Sequence, residues 1–403
     1  MTRLIEILIS FAIVAVLMLI VGVVLPSSRH LSESVETNRK MTIVFDTLNS
    51  LRRFKDWNPL VLRDPQAKLE LSGPTSGVGA KLSWDSDVKQ VGNGSWEIVE
   101  SVPGKSVKYA IENNQRGHDK FTEFKLTPTG RGAVKRNVEI TQTYDVQYGW
   151  NLIGRYAGLY VSRHVGDDIE LGLLRLSNML ASVPNVDYAV EGSKMRGMAE
   201  MQRPAEDLLV VKAGSVERNN EKIKTSMKSN MEWIKRVMDA NDLVAAGPMR
   251  IISTELGREN YTFDIAQPVK KKAGSGSDDE DKAGDKAADD EATAKADEKD
   301  AGKDGELTFT VDTLSPVVAA GEPLEVEIPE GAPVEYVQTE PSHVAVAYYT
   351  GFMAELDNVR NALRAWALTQ GFVAVGRPYE IYKNGIDSAF TAEGEYEVYW
   401  TLK

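Results

Sequence analysis

The sequence predicts an α+β protein in which one transmembrane helix precedes two soluble domains. Three features support this prediction. An apolar run without a charge spans residues 7–25. Strand-like runs separated by turn signals then fill 31–183 and end in an amphipathic stretch. Finally, the pattern of 207–269 recurs at 343–402. The length of 403 residues is also that of two or three domains.

The composition excludes several classes of protein and site. The chain contains no cysteine, which rules out disulfides, thiolate metal sites and cysteine nucleophiles. The net charge of −12 argues against binding to nucleic acid, because phosphate backbones would be repelled. The four histidines lie far apart in the sequence and lack HxH or HExxH spacing. We therefore expect neither a metal site nor a cofactor.

The apolar run is long enough to cross a bilayer as a helix. A cleaved secretory signal is the alternative, but its apolar region is typically shorter and ends in a small-x-small site, which does not follow here. We therefore predict a single-pass anchor at 5–26 in the cell (inner) membrane. Arg3 favours a cytoplasmic N-terminus, whereas the basic residues after the run point the other way. Long folded regions translocate despite their charge, and we expect the soluble domains outside the cytoplasm.

The segment 273–305 contains only Ala, Gly, Ser, Thr, Asp, Glu and Lys. It has no large apolar side chain to bury and cannot offset its own ordering entropy, so we predict a disordered acidic linker over 270–306. Its net charge of −7 is more than half of the total of −12, which leaves the folded domains near neutral. An acidic interaction tail is one interpretation, and a solvated spacer is the one we favour.

The first domain is predicted to be an antiparallel meander with helices near its ends. An amphipathic stretch at Met41–Phe54 precedes most of the strands, and a longer one at Val165–Leu180 repeats apolar residues at helical spacing. A long helix laid across an antiparallel sheet leaves a cavity unless bulky side chains fill it. Arg155 and Arg163 could meet an anionic head group, although a solvated helix face is the simpler interpretation.

Four phrases of this region resemble the SRPBCC superfamily, the START-like, polyketide-cyclase-type proteins. They are LRRFKDWNPL, GPTSGVGAKLSW, GNGSWEIVESVPGKSVKY and FTEFKLTPTGRGAVKRNVEI. The resemblance implies a helix-grip domain at 30–183 with a deep apolar cavity for lipids, polyketides or other hydrophobic ligands. It does not fix an activity, because the superfamily includes binders, carriers and enzymes. The aromatic candidates for the cavity lining, each with core packing as the alternative, are Trp57, Trp84, Trp96, Tyr109, Phe121 and Phe124.

The remaining sequence contains an internal repeat. Each half reads strand, helix, strand, strand, and VAAG at 244–247 matches VAVG at 373–376. Two such βαββ halves can pair about a pseudo-two-fold axis and leave a groove between them. The phrase VAVGRPYEIY and the final strand EYEVYW resemble the GyrI-like (AraC effector-binding type) small-molecule domain, which we predict over 205–403. The long acidic insertion between the halves departs from that family.

The GyrI-like resemblance implies that the acid of the family's final strand falls on Glu397, and the repeat-related acid of the first half on Asp264. A carboxylate among aromatic rings can bind an organic cation, or act as a general base when burial raises its pKa. The aromatic candidates around such a groove are Tyr379, Tyr382, Tyr396, Trp366 and Trp400. Core packing is the alternative for these rings, and a solvated sheet face is the alternative for Glu397.

Three functions are compatible with this sequence. The first is a membrane-anchored protein that senses, carries or sequesters a small hydrophobic or cationic ligand. This function accounts for every part of the sequence. The second is an enzyme of the cyclase or hydrolase type with Glu397 as acid or base, for which we find no catalytic constellation. The third is an envelope assembly or interaction protein, for which no motif identifies a protein partner. We expect a binding protein without an assigned catalytic residue.

Overall fold

A computed structural model describes residues 2–130, 137–189, 194–256, 259–272 and 320–403. The predicted linker lies outside these residues from position 273 onward. Residue contacts divide the chain into two compact units, called unit 1 and unit 2 below. Unit 1 consists of Met1–Ala199, Ala345–Pro378 and Ala389–Lys403, and unit 2 consists of Glu200–Val344 and Tyr379–Ser388.

The helices and strands are numbered in chain order. The helices are α1 (Thr2–Val24), α2 (Met41–Leu48), α3 (Phe54–Trp57), α4 (Leu60–Arg63), α5 (Leu152–Gly158), α6 (Val161–Ala181), α7 (Asn220–Ala240), α8 (Leu356–Thr369) and α9 (Gly385–Ser388), with short 3₁₀ helices at Leu51–Arg53 and Met353–Glu355. The strands are β1 (Ser28–Thr37), β2 (Lys68–Ser72), β3 (Lys81–Asp85), β4 (Gly94–Val102), β5 (Ser106–Asn113), β6 (His118–Thr129), β7 (Asn137–Gln147), β8 (Met195–Arg203), β9 (Asp207–Glu217), β10 (Leu243–Ala245), β11 (Arg250–Leu256), β12 (Asn260–Lys271), β13 (Val334–Gln338), β14 (Ser342–Thr350), β15 (Ala374–Tyr382) and β16 (Glu395–Leu402).

Helix α1 has the length and the composition of a membrane span. It has 23 residues, its most apolar window has a mean hydropathy of 3.2, and only 6% of that window is buried. The helix begins three residues before the predicted anchor and ends at Val24, two residues before Pro26. One apolar helix of this kind is compatible with an anchor and with a signal sequence.

The first sheet of unit 1 is antiparallel, with the strand order β1-β7-β6-β5-β4-β3-β2. β1 joins the edge by pairing with β7 along its whole length, from Ser28 opposite Gln147 to Thr37 opposite Val138. The other strands pair with their neighbours in sequence, as a meander requires. Buried and less buried residues alternate along much of β7, so one face of the sheet belongs to the core.

Helix α6 packs on the buried face of this sheet. Its buried side chains include Ile169, Leu173, Leu176 and Leu180, at the spacing that predicts a helix over Val165–Leu180. Side chains of α2 and α3 complete the same core. The predicted α+β fold, with a long helix after an antiparallel sheet, is confirmed for this part of the chain.

Helix α8 packs on the same core. Ala362 and Ala365 are buried in it, and Trp366 and Leu368 pack against it. Arg53 donates from Nη1 to the Leu368 carbonyl at 2.8 Å. β16 lies between β15 and β14, and β8 lies beside β14. Of these three neighbouring strands, residues 374–378, 345–350 and 195–199 belong to unit 1. The sequence does not predict β8, because the methionines of its phrase MRGMAEMQR recur every third residue, which is closer to a helical spacing.

The segment after α6 returns to α2 and buries a carboxylate there. The Tyr188 hydroxyl donates to Asp46 Oδ2 at 2.7 Å and lies 3.4 Å from Thr369 Oγ1. Burial raises the pKa of Asp46 from the usual 3.8 to about 6; the Tyr188 hydrogen bond opposes this shift, and the charge of Asp187 adds to it. Asp46 is therefore a charge that the fold disfavours at neutral pH.

We expect Asp46→Asn to stabilise unit 1 at neutral pH and to have little effect near pH 4. The amide keeps an acceptor for Tyr188 but has no charge to desolvate. Because the pKa of Asp46 is higher in the folded state, the folded chain binds more protons than the unfolded chain, and stability falls as the pH rises from about 4 to about 6. The shift corresponds to about 3 kcal/mol. Urea unfolding of the wild type and of Asp46→Asn, at about pH 4 and at neutral pH, measures the difference between their free energies of unfolding. An equal difference at the two pH values would contradict the prediction.

Unit 2 contains the helix and the strands of the first predicted half. Its strands have the order β13-β9-β12-β11, after which β11 pairs with residues 379–381 of β15. The short β10 pairs with the end of β12. Helix α7 packs on β9 and begins after Asn219, whose side chain accepts hydrogen bonds from the Glu221 and Lys222 amides.

The elements of the two predicted halves follow the same order along the chain. They are β9, α7, β11 and β12 in the first half and β14, α8, β15 and β16 in the second, with β10 additional in the first. Their pairing into one two-fold GyrI-like domain over 205–403 stays a prediction.

Candidate functional site

A cavity of about 130 Å³ lies in unit 1 between the first sheet and α6. Strands β3 to β7 contribute one wall, the N-terminal half of α6 contributes another, and residues 57–63 close one side. An apolar cavity of ~150 Å³ holds a benzene molecule, so this space accommodates a ring or a short alkyl segment.

The cavity has an aromatic wall made of Trp57, Trp84 and Trp96. All three side chains are buried. Trp57 packs edge-on against Phe54 and Phe124, with ring centroids 5.5 Å and 5.7 Å apart, and lies 6.1 Å from Trp96. Edge-to-face packing on several sides holds the Trp57 ring in one orientation. The wall is therefore a preformed apolar surface.

The other aromatic residues predicted for the lining lie elsewhere in the domain. Tyr109 and Phe124 are fully buried in the core, where the Tyr109 hydroxyl donates to the Leu48 carbonyl. Phe121 lies on the opposite face of its strand, with the Lys108 ammonium 4.9 Å from its ring. For these three positions the core and sheet-face interpretations apply.

Gly94 provides the space that the Trp84 ring occupies. A Cβ at position 94 would lie 2.3 Å from Trp84 Cζ2 and 2.4 Å from the Glu112 carbonyl oxygen. Trp84 is on β3 and Glu112 on β5, so the indole lies across the intervening strand β4. This close approach requires glycine, and it directs the Trp84 ring over the sheet.

A hydrogen-bond chain orients Gln142 in the opposite wall. Thr122 Oγ1 donates its single proton to the Thr143 carbonyl at 2.7 Å, so it can only accept from Gln142 Nε2, which lies 3.1 Å away. This assignment fixes which end of the amide is nitrogen. The carbonyl oxygen Oε1 is consequently the end of Gln142 that is left for another partner.

Two polar atoms of the cavity lining are buried without a hydrogen-bond partner among the described residues. They are the donor Nε1 of Trp84 and the acceptor Oε1 of Gln142. Buried polar groups are nearly always paired, and leaving one unpaired costs about 1–3 kcal/mol. A molecule in the cavity that offers an acceptor and a donor would satisfy both atoms.

A buried lysine orients a second amide of the lining. Lys120 Nζ donates to Asn113 Oδ1 at 2.6 Å and to the Gln115 carbonyl at 2.6 Å. Burial lowers the pKa of Lys120. Because Asn113 Oδ1 also accepts from the Gln115 amide at 3.2 Å, the donating end of this side chain is the end that remains for other contacts.

The rim of the cavity carries an ion pair between α4 and α6. Arg63 Nη2 lies 2.6 Å from Asp168 Oδ1, and both side chains are partly exposed. Burial raises the pKa of Asp168, and the Arg63 charge opposes the shift. Deeper in the lining, burial raises the pKa of Tyr144 well above its usual value, so its hydroxyl stays protonated at neutral pH.

The residues predicted for the second groove are divided between the two units. In unit 1, Glu397 is half-buried and accepts from the Tyr399 hydroxyl at 2.8 Å. Trp400 Nε1 donates to the Gly376 carbonyl at 3.3 Å. Trp366 packs against the core under α8, and the buried Tyr396 ring lies 5.8 Å from the Tyr349 ring.

The other three predicted groove residues lie in unit 2. Asp264 and Tyr382 are buried there, and Tyr379 lies under the Arg250 guanidinium, 5.0 Å from ring centroid to Cζ. Burial raises the pKa of the Tyr379 hydroxyl. Ligand binding in the predicted groove stays a prediction.

Several polar residues of the two units were not predicted. In the cavity they are Thr122, Gln142 and Asn113, and the signal was available for the first two, because they occupy buried positions of strands whose other buried residues are mostly apolar. In unit 2, Glu380 is fully buried and accepts from Ser253 Oγ at 3.3 Å. The sequence pattern around Glu380 does not distinguish it from an exposed strand residue, so its burial could not be predicted.

Arg155 is buried and has a structural role, so it does not lie on the solvated helix face that the sequence favours for it. Its guanidinium is buried and donates to the Val23 carbonyl at 2.8 Å and the Gly149 carbonyl at 2.8 Å. Arg163 and His164 are exposed on α6. Among the described residues, no cluster of three His, Asp or Glu side chains is placed to hold a metal ion.

A family model for polyketide cyclase/dehydrase and lipid transport proteins matches residues 28–180. This part of the chain is therefore a domain of the SRPBCC, START-like type, which confirms the resemblance drawn from its sequence. No curated protein matches the chain.

Several solved structures are similar to parts of the chain. Norcoclaurine synthase from Thalictrum flavum is 13% identical, with a TM-score of 0.31, over 38% of this chain and 94% of that one. A START superfamily protein from Mycobacterium smegmatis is 13% identical, with a TM-score of 0.27, over 38% and 97%. The C-terminal domain of EcmrR is 13% identical, with a TM-score of 0.31, over 51% and 97%.

Proposed function

We propose that the protein binds a small hydrophobic ligand in the cavity of its START-like domain. The observation that carries the proposal is that two buried atoms of the lining, Trp84 Nε1 and Gln142 Oε1, have no hydrogen-bond partner among the described residues. Such groups are retained in a core when a bound molecule completes their hydrogen bonds.

The same two atoms define the chemistry of the ligand. An apolar body suits the three tryptophans, an acceptor group on the ligand suits Trp84 Nε1, and a donor group suits Gln142 Oε1. A small ring compound that carries a hydroxyl and a carbonyl, as a polyketide-like molecule does, has this combination and the size of a cavity of about 130 Å³. A fully saturated hydrocarbon lacks it and would leave both atoms unpaired.

Binding is favoured over a reaction in this cavity by the state of its ionisable groups. Among the described lining residues these groups are Arg63, Asp168 and Tyr144. The carboxylate is held by Arg63 at 2.6 Å, and the phenol stays protonated. The Arg63 charge stabilises the ionised carboxylate of Asp168 and so weakens it as a base.

We further propose that α1 anchors the protein in the cell (inner) membrane with its folded units outside the cytoplasm. The length and hydropathy of α1 support an anchor. In this role the protein would sense, carry or sequester its ligand at the membrane. The GyrI-like resemblance also keeps a cationic amphiphile in the proposal, with Glu397 or Asp264 as the carboxylate that it meets.

Fluorine NMR of the full chain grown with fluorotryptophan tests where the ligand lies. The chain has seven tryptophans, and single Trp→Phe variants assign their resonances. We expect the resonances of Trp57, Trp84 and Trp96 to move when apolar molecules are stripped from the purified protein, while Trp366 and Trp400 stay in place. Movement confined to Trp366 and Trp400 would contradict the assignment of the site.

A further inference from the structure

Helix α5 is fastened to the end of α1 by hydrogen bonds to the α1 backbone. Arg155 Nη1 lies 2.8 Å from the Val23 carbonyl and 3.1 Å from the Leu25 carbonyl. The last carbonyls of a helix have no partner within the helix, and a cation there also meets the negative end of the helix dipole. Arg155 therefore caps α1, and α5 is attached where the apolar segment ends.

The contact between the two helices extends into the apolar segment. The Tyr156 hydroxyl donates to the Met18 carbonyl at 2.5 Å. Gly22 lets the helices approach, because a Cβ there would lie 3.2 Å from atoms of Leu152 and Tyr156. Small residues allow helix approach of this kind in membranes.

The depth of this contact follows from the length of α1. Met18 precedes Val24 by six residues, which is about 9 Å along a helix. The uncharged run at 7–25 is about 28 Å long as a helix, close to the ~30 Å thickness of the hydrocarbon core. A bilayer crossed by α1 therefore encloses Met18, and α5 lies at the boundary of the bilayer.

Apolar and aromatic side chains around α5 are exposed where this boundary would be. Trp150 is 82% exposed, Ile153 64%, Leu159 49% and Tyr160 63%. These four residues, here called the α5 face, fall within eleven consecutive positions. Trp150 also lies 5.5 Å from the Arg155 guanidinium. Tryptophan and tyrosine are enriched at membrane interfaces, where one end of the side chain is apolar and the other is hydrated.

We propose that the α5 face is a membrane-docking surface that inserts into the boundary between head groups and acyl chains. The inference rests on the proposed anchoring by α1, with which the α5 face is continuous. Val165, the first cavity-lining residue of α6, follows Tyr160 by five residues, or about 8 Å along a helix. Docking would place that end of the cavity beside the bilayer, from which an apolar ligand with a polar group can enter.

Lipid-borne quenchers test the proposal in the full chain. Because the sequence has no cysteine, single cysteines at Ile153, Leu159, Val14 and Leu71 can each carry a polarity-sensitive fluorophore. Val14 reports on α1. Leu71 is the matched control: it is 51% exposed, but it is on β2, at the sheet edge opposite β1, about 29 Å away at ~4.8 Å per strand. The labelled chains are reconstituted in phosphatidylcholine–phosphatidylglycerol vesicles with doxyl lipids.

We expect Ile153→Cys and Leu159→Cys labels to lose most of their emission with a quencher near the head groups, and the Leu71→Cys label to keep it. The Val14→Cys label should be quenched most by a quencher deep in the acyl chains. If the label at 14 is quenched while those at 153 and 159 behave like the label at 71, docking is wrong and the anchor stands. If the label at 14 is not quenched, both the anchor and the docking are wrong.

Discussion

Replacing Trp57 by alanine is expected to destabilise the START-like domain by about 3–5 kcal/mol, the range for deletion of a buried large aromatic side chain. Trp57 is 3% exposed and packs edge-on against Phe54 and Phe124. Its loss removes these contacts and leaves a void beside the existing cavity. Hydrogen exchange of β4 to β7 amides in the full chain measures the effect, and exchange through unfolding of this domain should accelerate by about 10²–10⁴-fold.

Trp150→Ala is the control for this substitution. Its ring is of the same size but is largely exposed in the protein, so we expect the change in stability in detergent to stay within about 0.5 kcal/mol. Equal effects of the two substitutions would show that Trp57 does not carry the packing of the aromatic wall.

Val165→Trp is expected to remove ligand binding while the fold is kept. Val165 lines the cavity from α6 and is only half-buried, so a larger side chain can enter the empty space without displacing the core. An indole in a cavity of about 130 Å³ leaves little room for a ligand. We expect the affinity for an apolar fluorescent probe to fall about 100-fold or more, equivalent to about 2.7 kcal/mol.

The matched control places the same residue on the same helix outside the cavity. Leu174 is on α6, is 54% exposed and does not line the cavity. Leu174→Trp should leave the affinity unchanged. A similar loss of affinity in both variants would mean that the probe binds the surface of α6 and not the cavity.

Much of the first domain could be predicted from its sequence, because its periodicity is local. The alternation of the strands and the helical spacing of Ile169, Leu173 and Leu176 are each sufficient to predict their element. Strand β1 pairs with β7 more than 100 residues later, and such long-range pairing leaves no local signal. β8 was missed for a related reason, since its pairing partner β14 is distant in sequence.

The apolar part of the cavity was predicted and most of its polar part was not. Large aromatic residues in a predicted meander are candidates for the lining of its cavity, and Trp57, Trp84 and Trp96 were predicted on this ground. The direction of the Gln142 amide could not be predicted, because it is fixed by its neighbours Thr122 and Thr143. The role of Gly94 also depends on contact, since it is set by the Trp84 ring across the strand.

Native mass spectrometry of the wild-type chain and of Val165→Trp, each released from detergent, tests whether the cavity binds a ligand. We expect the wild type to retain a small amphiphile and Val165→Trp to retain none. An amphiphile retained equally by both chains, or no bound molecule in the wild type, would contradict a ligand-binding cavity between the first sheet and α6.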